Sequence, residues 1–531
     1  MDYFELATHH GATRAYDLVI LPAASRQYTP PGRALTACIG IALLLIFLAP
    51  AAEITSSRLR LVYRTAVIPV AIFYLLVFLS PLVSPYKVLL SGLGYTEGVL
   101  VLVFSRLWLV SAAVVQWWNK QRRPAWAMPA LVSLLMLMPY GRLVYHDLYT
   151  RYAGNFSGFL QLSSSRYDAD PTVNGRNDIR HTLRFTKGGY DAQFMYLEAY
   201  DPFLRQFSNQ PSVYDRFIDA APYRYGRIGF TLLTKVVSAD RWRLYPSVMM
   251  ALVLAGLGLS GFVLASFSQF NDASPLWGLL IAIVPGFWQS IQVSLPEPIA
   301  AAFLLGGYLC WRQRRYAWAG FWLAASLLVR ETGTVLVLAL AIATLFTEGR
   351  REGLRLALIA LLPVALWRLY VGWVLWPTWG VHAFFFDSND LATPLAGIRV
   401  LWTTVYHHSY YSGVASFARA ATWYPLVLIA GSLLAMWSAI IAPGALTFAA
   451  VVYGLVAVSL NYQAVWVYIG NAERTTFELF VLLALVTVAI KGHSRAFRRA
   501  AMVFWAVTAA YLLFAGADAL HIRHTVLSPL F

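Results

Sequence analysis

Gly188-Gly-Tyr-Asp-Ala-Gln-Phe-Met-Tyr-Leu-Glu-Ala-Tyr-Asp-Pro-Phe203 is the stretch from which the rest of the chain is read. It carries three carboxylates, Asp191, Glu198 and Asp201, inside the longest polar interval of an otherwise apolar sequence. Pro202 ends any helix that begins near Tyr190. On such a helix Asp191 and Glu198, seven residues apart, lie on nearly one face, with a rise between them of roughly 10 Å. That is too far to share a proton, so the two are expected to act separately. The same pattern also suits an amphipathic helix lying on a membrane surface with its carboxylates in water. The surrounding sequence decides between them.

The 531 residues are 59% hydrophobic, 15% aromatic and only 12% charged, with a mean hydropathy of +0.59. A soluble domain carries about 25% charged residues, so this is a polytopic membrane protein. The net charge of +16 comes from short Lys/Arg clusters between apolar runs, the signature of cytoplasmic loops rather than of a nucleic-acid partner. Cys38 and Cys310 both fall inside apolar runs and read as inert thiols, with no disulfide or metal framework.

Residues 1–33 are polar and lack the short basic start and cleavage site of a signal peptide. Spans are expected at 34–51, 65–83 and 98–118, giving an N-terminal extension over 1–124 with about three membrane helices. A fourth span, 125–145, opens a core running to 516, and 517–531 is a tail. The core holds a long outer loop, 147–243, carrying short helices and a stretch at 226–238 too short to span and expected at the interface. Further spans are expected at 244–267, 275–293 and 299–311, then at 354–375, 423–440, 445–460, 477–490 and 500–514. A second outer loop covers 377–421. The fold expected is an all-α polytopic bundle of about 12–14 membrane helices.

One interval breaks the pattern. Basic residues flank 317–346 at both ends, so both ends should be cytoplasmic, yet two full spans need about 40 residues. The interruption at Arg330-Glu-Thr-Gly333 predicts two short helices meeting partway across the bilayer, with Arg330 and Glu331 at the apex. The alternative is one long tilted helix with a snorkelling Arg330.

Ionisable residues at membrane depth are functional candidates. Four groups qualify, all toward the outer side: Asp191 with Glu198 and Asp201, Glu297 between two prolines, Arg330 with Glu331, and Glu473 with Arg474. Glu297 also suits the first turn of a helix, where a carboxylate favours the dipole, and Glu473 with Arg474 also suits an interfacial ion pair. Adjacent His407 and His408 read as structural, without a third metal ligand. Asn155-Phe-Ser157 fits the glycosylation pattern and carries no weight. No Walker loop, G-x-G-x-x-G before a strand, H-E-x-x-H or G-x-S-x-G is present.

In order along the chain, Asn155-Phe-Ser-Gly-Phe159, Gly189-Tyr-Asp-Ala-Gln-Phe194, Asp201-Pro-Phe203 and Tyr223-Arg-Tyr-Gly-Arg227 are followed by Ser294-Leu-Pro-Glu-Pro298, Leu323-Ala-Ala-Ser-Leu-Leu-Val-Arg-Glu-Thr-Gly333 and Pro363-Val-Ala-Leu-Trp-Arg-Leu-Tyr370. This series resembles a bacterial family of cell-surface glycopolymer formation, itself similar to the PIG-V-type mannosyltransferases. The resemblance covers roughly residues 125–490. Ala192 departs from it, standing where a glycine is usual, and the first three spans lie outside it.

The resemblance implies a GT-C fold with its active site at the outer face of a bacterial plasma membrane. It also implies an inverting glycosyltransferase using a polyprenyl-phosphate sugar donor and an envelope glycan or glycolipid acceptor. By matching position Asp191 is the catalytic base. Arg330 and Arg474 are candidates for the donor phosphate. Gln193, Tyr196 and Arg227 would line a sugar, Glu297 would orient a hydroxyl, and Glu198, Asp201 and Glu331 complete the binding set. Membrane lipids are further partners, no organic cofactor is implied, and a divalent metal is left open. The rivals are a lipid or polysaccharide transporter, which should show internal repeats and charges near the bilayer middle, and an envelope polymerase or ligase.

Overall fold

The computed structural model describes residues 124–186, 188–384, 391–407, 415–461, 465–466, 468–490 and 494–512, with backbone only at 403–407 and 415–420. The three spans expected before residue 124, Cys38, Asp387, Asp390, His408, the side chain of His407 and the tail lie outside what is described.

The described chain is mostly helical. Four helices are long and apolar enough to cross a membrane: Ala127–Thr150, Trp242–Phe270, Arg350–Ala383 and Ala421–Ile441. The shortest has 21 residues, about 32 Å of helix against a hydrocarbon core of about 30 Å. α1 (Ala127–Thr150) buries Val132, Met136, Tyr140 and Leu143 along one face and leaves Leu131, Leu134, Leu135 and Met138 exposed on others. The helix Arg350–Ala383 likewise exposes seven leucines and tryptophans. Apolar residues on both the packed and the outward faces are what a lipid surround selects.

The polar segment after α1 folds into short pieces. A parallel pair, β1 (Leu162–Ser163) with β2 (Phe185–Thr186), forms the one sheet among the described residues. It is followed by α2 (Ala192–Glu198), α3 (Ala221–Tyr225) and α4 (Ile228–Val237). α2 stops four residues before Pro202. α4 has ten residues, too few to span, and leaves Val236 and Val237 exposed.

α5 (Tyr245–Phe270) and α6 (Glu297–Arg312) pack side by side. They close at Gly256, where an added Cβ would come within 2.5 Å of the Ile299 backbone. The span expected at 275–293 is not a single helix. A 3-10 stretch, Pro275–Ile283, and a six-residue helix, Phe287–Gln292, are separated by Val284-Pro285-Gly286. Pro285 has no N–H to continue the ladder. Gly286 has φ +88°, a conformation other residues adopt at a cost.

The interval from 316 to 347 breaks at Arg330, whose backbone is extended (φ −156°, ψ 115°) between α7 (Tyr316–Val329) and α8 (Thr334–Thr347). Both pack on α9 (Arg350–Trp379). Gly320 near the start of α7 touches Ile359, and Leu345 near the end of α8 touches Gly353, so the two helices form a hairpin based at one end of α9. Each has 14 residues, about 21 Å and short of a full crossing. The break projects toward Arg368 of α9, whose charge acts on Glu331. Arg368 lies about 18 Å along α9 from Leu356.

α10 (Ala396–His407) precedes α11 (Ala415–Ile441). α12 (Ala445–Ser459), α13 (Ile469–Thr475), α14 (Phe477–Ala489) and α15 (Arg495–Tyr511) complete the described chain. α14 is buried at every residue from 477 to 488 and contacts α5, α6, α11 and α12.

Candidate functional site

Asp191 sits immediately before the first turn of α2, and its side chain is not spent on capping that helix. The turn that places it runs through Gly189, at φ +71°, where a Cβ would meet the Gln193 amide. The Tyr190 N–H donates to the Gln161 carbonyl at 3.0 Å. The Asp191 carboxylate therefore turns toward two guanidiniums. Arg224 Nη2 of α3 is 3.0 Å from Oδ1, and Arg474 Nη2 of α13 donates to Oδ2. The three side chains are 14–19% exposed, so the cluster is half-buried and touches solvent.

From Asp191 an alternating line of charges runs in both directions. Arg224 Nε donates to Asp219 Oδ1 at 2.8 Å, and its guanidinium lies 4.4 Å from the centre of the Phe194 ring. On the other side Arg474 Nη1 is 3.4 Å from Glu297 Oε1. Arg330 Nη1 donates to the same oxygen at 2.7 Å, and Arg330 Nε donates to Glu478 Oε1 at 3.1 Å. A second group stands beside this line. Arg227 grips Glu331 through Nε at 2.8 Å and Nη2 at 2.6 Å, and lies 4.0 Å over the Tyr223 ring.

Burial by itself would raise the Asp191 carboxyl. The guanidiniums of Arg224 and Arg474 more than offset it and hold the group well below the usual carboxylate range. Glu198 has the opposite environment. It is 1% exposed, its Oε2 accepts from Thr231 at 3.1 Å, and its Oε1 has no partner. Burial pushes it up to about 8. The two carboxylates of one short helix are thus set apart chemically: Asp191 is ionised and reachable, whereas Glu198 is neutral at physiological pH and enclosed.

The other sequence candidates fall into two groups. Arg227, Glu297, Arg330, Glu331 and Arg474 join Asp191 in the ionic assembly. Gln193, Tyr196 and Asp201 do not. Gln193 Oε1 accepts from the Ser163 N–H at 3.1 Å and pins α2 to β1. Tyr196 is fully buried, with its hydroxyl 2.6 Å from that of Tyr200. Asp201 accepts from the N–H groups of Arg205 and Gln206, each at 2.9 Å, and from the Tyr214 hydroxyl at 2.6 Å, holding the following loop. Glu297 begins α6 as its dipole favours and also pairs with Arg330. Arg330 is buried between Glu297 and Glu478 and makes no ion pair with Asp191. Glu473, beside Arg474, turns the other way to the Tyr511 hydroxyl. The Asn155 side chain is engaged locally, accepting from the Ser157 N–H and donating to the Thr182 carbonyl.

Two arginines complete the site without having been singled out from sequence. Arg224 holds Asp191 directly. Arg368 donates to the Pro222 carbonyl at 3.1 Å, while Trp367 donates to the Tyr225 carbonyl at 2.7 Å and Tyr370 to that of Phe203. α9 thus clamps the backbone of α3 at Pro222 and Tyr225, on either side of Arg224, and that of Phe203. The signal for Arg368 was a charged residue, in Trp367-Arg-Leu-Tyr370, inside an apolar run; Arg224 lay within Tyr223-Arg-Tyr-Gly-Arg227.

Among the described residues no group of three or more His, Cys, Asp or Glu is placed to hold a metal ion. No family model, curated protein or solved structure matches this chain.

Proposed function

We propose that the chain is an integral membrane glycosyltransferase. It moves a sugar from a polyprenyl-phosphate donor to an envelope glycan or glycolipid at the outer face of a bacterial plasma membrane. The observation that supports this reading is the position of Asp191. It is a mostly buried carboxylate that still touches solvent, held between two arginines at the junction of the polar segment with the apolar helices.

In the reaction an acceptor hydroxyl attacks the anomeric carbon, and the bond from that carbon to the phosphate oxygen breaks. The polyprenyl phosphate leaves with the electron pair, and the hydroxyl proton passes to Asp191. Arg224 and Arg474 are suited to the leaving phosphate, since a guanidinium fork matches its oxygens. Arg330 acts through Glu297, holding it where it orients Arg474. Near Arg368, α9 leaves Leu366, Leu369 and Trp373 exposed, apolar surface along which a prenyl chain can lie.

The test is sugar transfer in nanodiscs with a panel of radiolabelled polyprenyl-phosphate sugars, comparing the parent with Asp191→Asn. Transfer by the parent and a loss of at least 100-fold in the variant is expected. Equal transfer by both moves the base elsewhere. Transfer by neither, with both folded, sinks the enzyme class in favour of a transporter or a diphosphate-dependent polymerase.

A further inference from the structure

The ionic assembly balances. Asp219, Asp191, Glu297, Glu478 and Glu331 face Arg224, Arg474, Arg330, Arg227 and Arg368. With all ionised, the net charge is zero. A phosphate-bearing anion adds negative charge to a cluster that is already neutral and partly desolvated. Such a cluster takes an anion readily only if a carboxylate lets go of its cations or takes a proton.

Asp191 is the carboxylate placed to do so. Both of its oxygens are held by Arg224 and Arg474, the same two cations that an entering phosphate would seek. Arg474 also has a buried Nε–H with no acceptor, a donor left over for a ligand. The charged and titratable groups facing Asp191 are few. Tyr223 and Arg224 come from α3, with Asp219 behind them; Arg474 comes from α13, with Glu297 of α6 behind it. Arg227 stands before α4, and Tyr190 and Glu198 belong to its own segment. None except the two arginines makes an ion pair with it.

We propose that an anion bearing a phosphate group binds between Arg224 and Arg474, displaces Asp191 from both, and thereby raises the proton affinity of Asp191. This rests on the glycosyltransferase reading for its catalytic meaning. The donor must then bind before the acceptor hydroxyl can be deprotonated, and Asp191 becomes an effective base only when the lipid phosphate is in place. Without donor the carboxylate is masked, so the acceptor is not activated.

Binding linkage tests this without turnover. The full-length protein in nanodiscs is titrated calorimetrically from pH 7 to pH 5 with sulfate and, separately, with a short-chain isoprenyl phosphodiester. Both probes keep their charge over that range. In the parent, affinity should rise several-fold over this range, approaching tenfold per pH unit if one whole proton is taken up. Asp191→Asn should bind the anion at least as tightly as the parent at pH 7 and lose the pH dependence. Arg224→Gln, checked by its unfolding profile, should weaken anion binding about tenfold or more. A flat parent profile, an Asp191→Asn variant that keeps the slope, or unchanged binding by Arg224→Gln overturns the inference. Linkage with the phosphodiester alone assigns the site to a lipid headgroup, and linkage with both probes to free anions as well. Intact linkage in a protein that transfers no sugar refutes the enzyme reading and leaves the inference standing.

Discussion

Replacing Glu198 by glutamine should stabilise the protein at high pH and leave it unchanged at low pH. The side chain is 1% exposed, with one oxygen on Thr231 and the other unpartnered. Its carboxyl moves from 4.5 to about 8 on folding. A raised carboxyl favours the folded state fully below the unfolded value, and that contribution is lost as pH rises through the folded one. At 1.36 kcal/mol per pH unit the loss is about 4–5 kcal/mol once pH exceeds 8. Glutamine keeps the shape and titrates nowhere. Urea unfolding in detergent micelles, run on both proteins from pH 5 to pH 9, reads the difference. The gap should open between pH 5 and pH 8 in favour of Glu198→Gln and then level off. Parallel curves would refute the assignment of Glu198 as a neutral, enclosed carboxyl. A gap that opened toward low pH would mean that the group is ionised and paired.

Removing the Arg330 guanidinium as Arg330→Met strands Glu478 as a buried carboxylate, leaves Glu297 with Arg474 as its one cation, and should cost about 3–5 kcal/mol. Combined with Glu297→Gln it should cost clearly less than the sum, with coupling above about 1 kcal/mol in unfolding experiments; additive losses would dismiss the ion pair as a brace. Gly286→Ala demands a left-handed alanine with its Cβ 2.6 Å from Arg474 Cα. It should cost stability and transfer together, whereas Gly154→Ala, at φ +80° in open space, should cost about 1 kcal/mol and spare transfer.

Much of the helical layout is legible because hydropathy and breakers act locally. The end of α2 before Pro202, the start of α6 at Glu297-Pro298 and the break at Arg330 all follow from residues within a few positions. The interval 275–293 misleads because its composition is as apolar as a span, while two residues, Pro285 and Gly286, decide its geometry. The partners are harder to read. Asp191 and Arg474 are 283 residues apart, and no local pattern marks them as neighbours. Nor does one distinguish the inward-turned Asp201, which serves its own loop, from the outward-turned Asp191 ten residues earlier. Polar side chains near an active region are spent first on the backbone they fold. What is left over is visible only when every partner is counted.

That accounting also explains why the charged residues form a line rather than a pair. The polar segment holding Asp191 is built from helices of four to ten residues and a two-residue strand pair. Isolated helices that short do not persist in water, so the segment takes its shape from what it docks on. Carbonyls of Phe203, Pro222 and Tyr225 are held by α9, and Arg224 is locked between Asp219 and Asp191. Asp191 is joined through Arg474 and Glu297 to Arg330 at the hairpin break. Each link ties a loop element to an apolar helix or one helix to the next. The carboxylate proposed for chemistry is therefore also a structural connector in the empty protein. A ligand that takes its arginines must replace the connection as it binds. Tight anion binding and a well-ordered site then come from the same contacts, and a variant that severs the line at Arg330 should weaken anion binding at Arg474 although Arg330 makes no ion pair with Asp191.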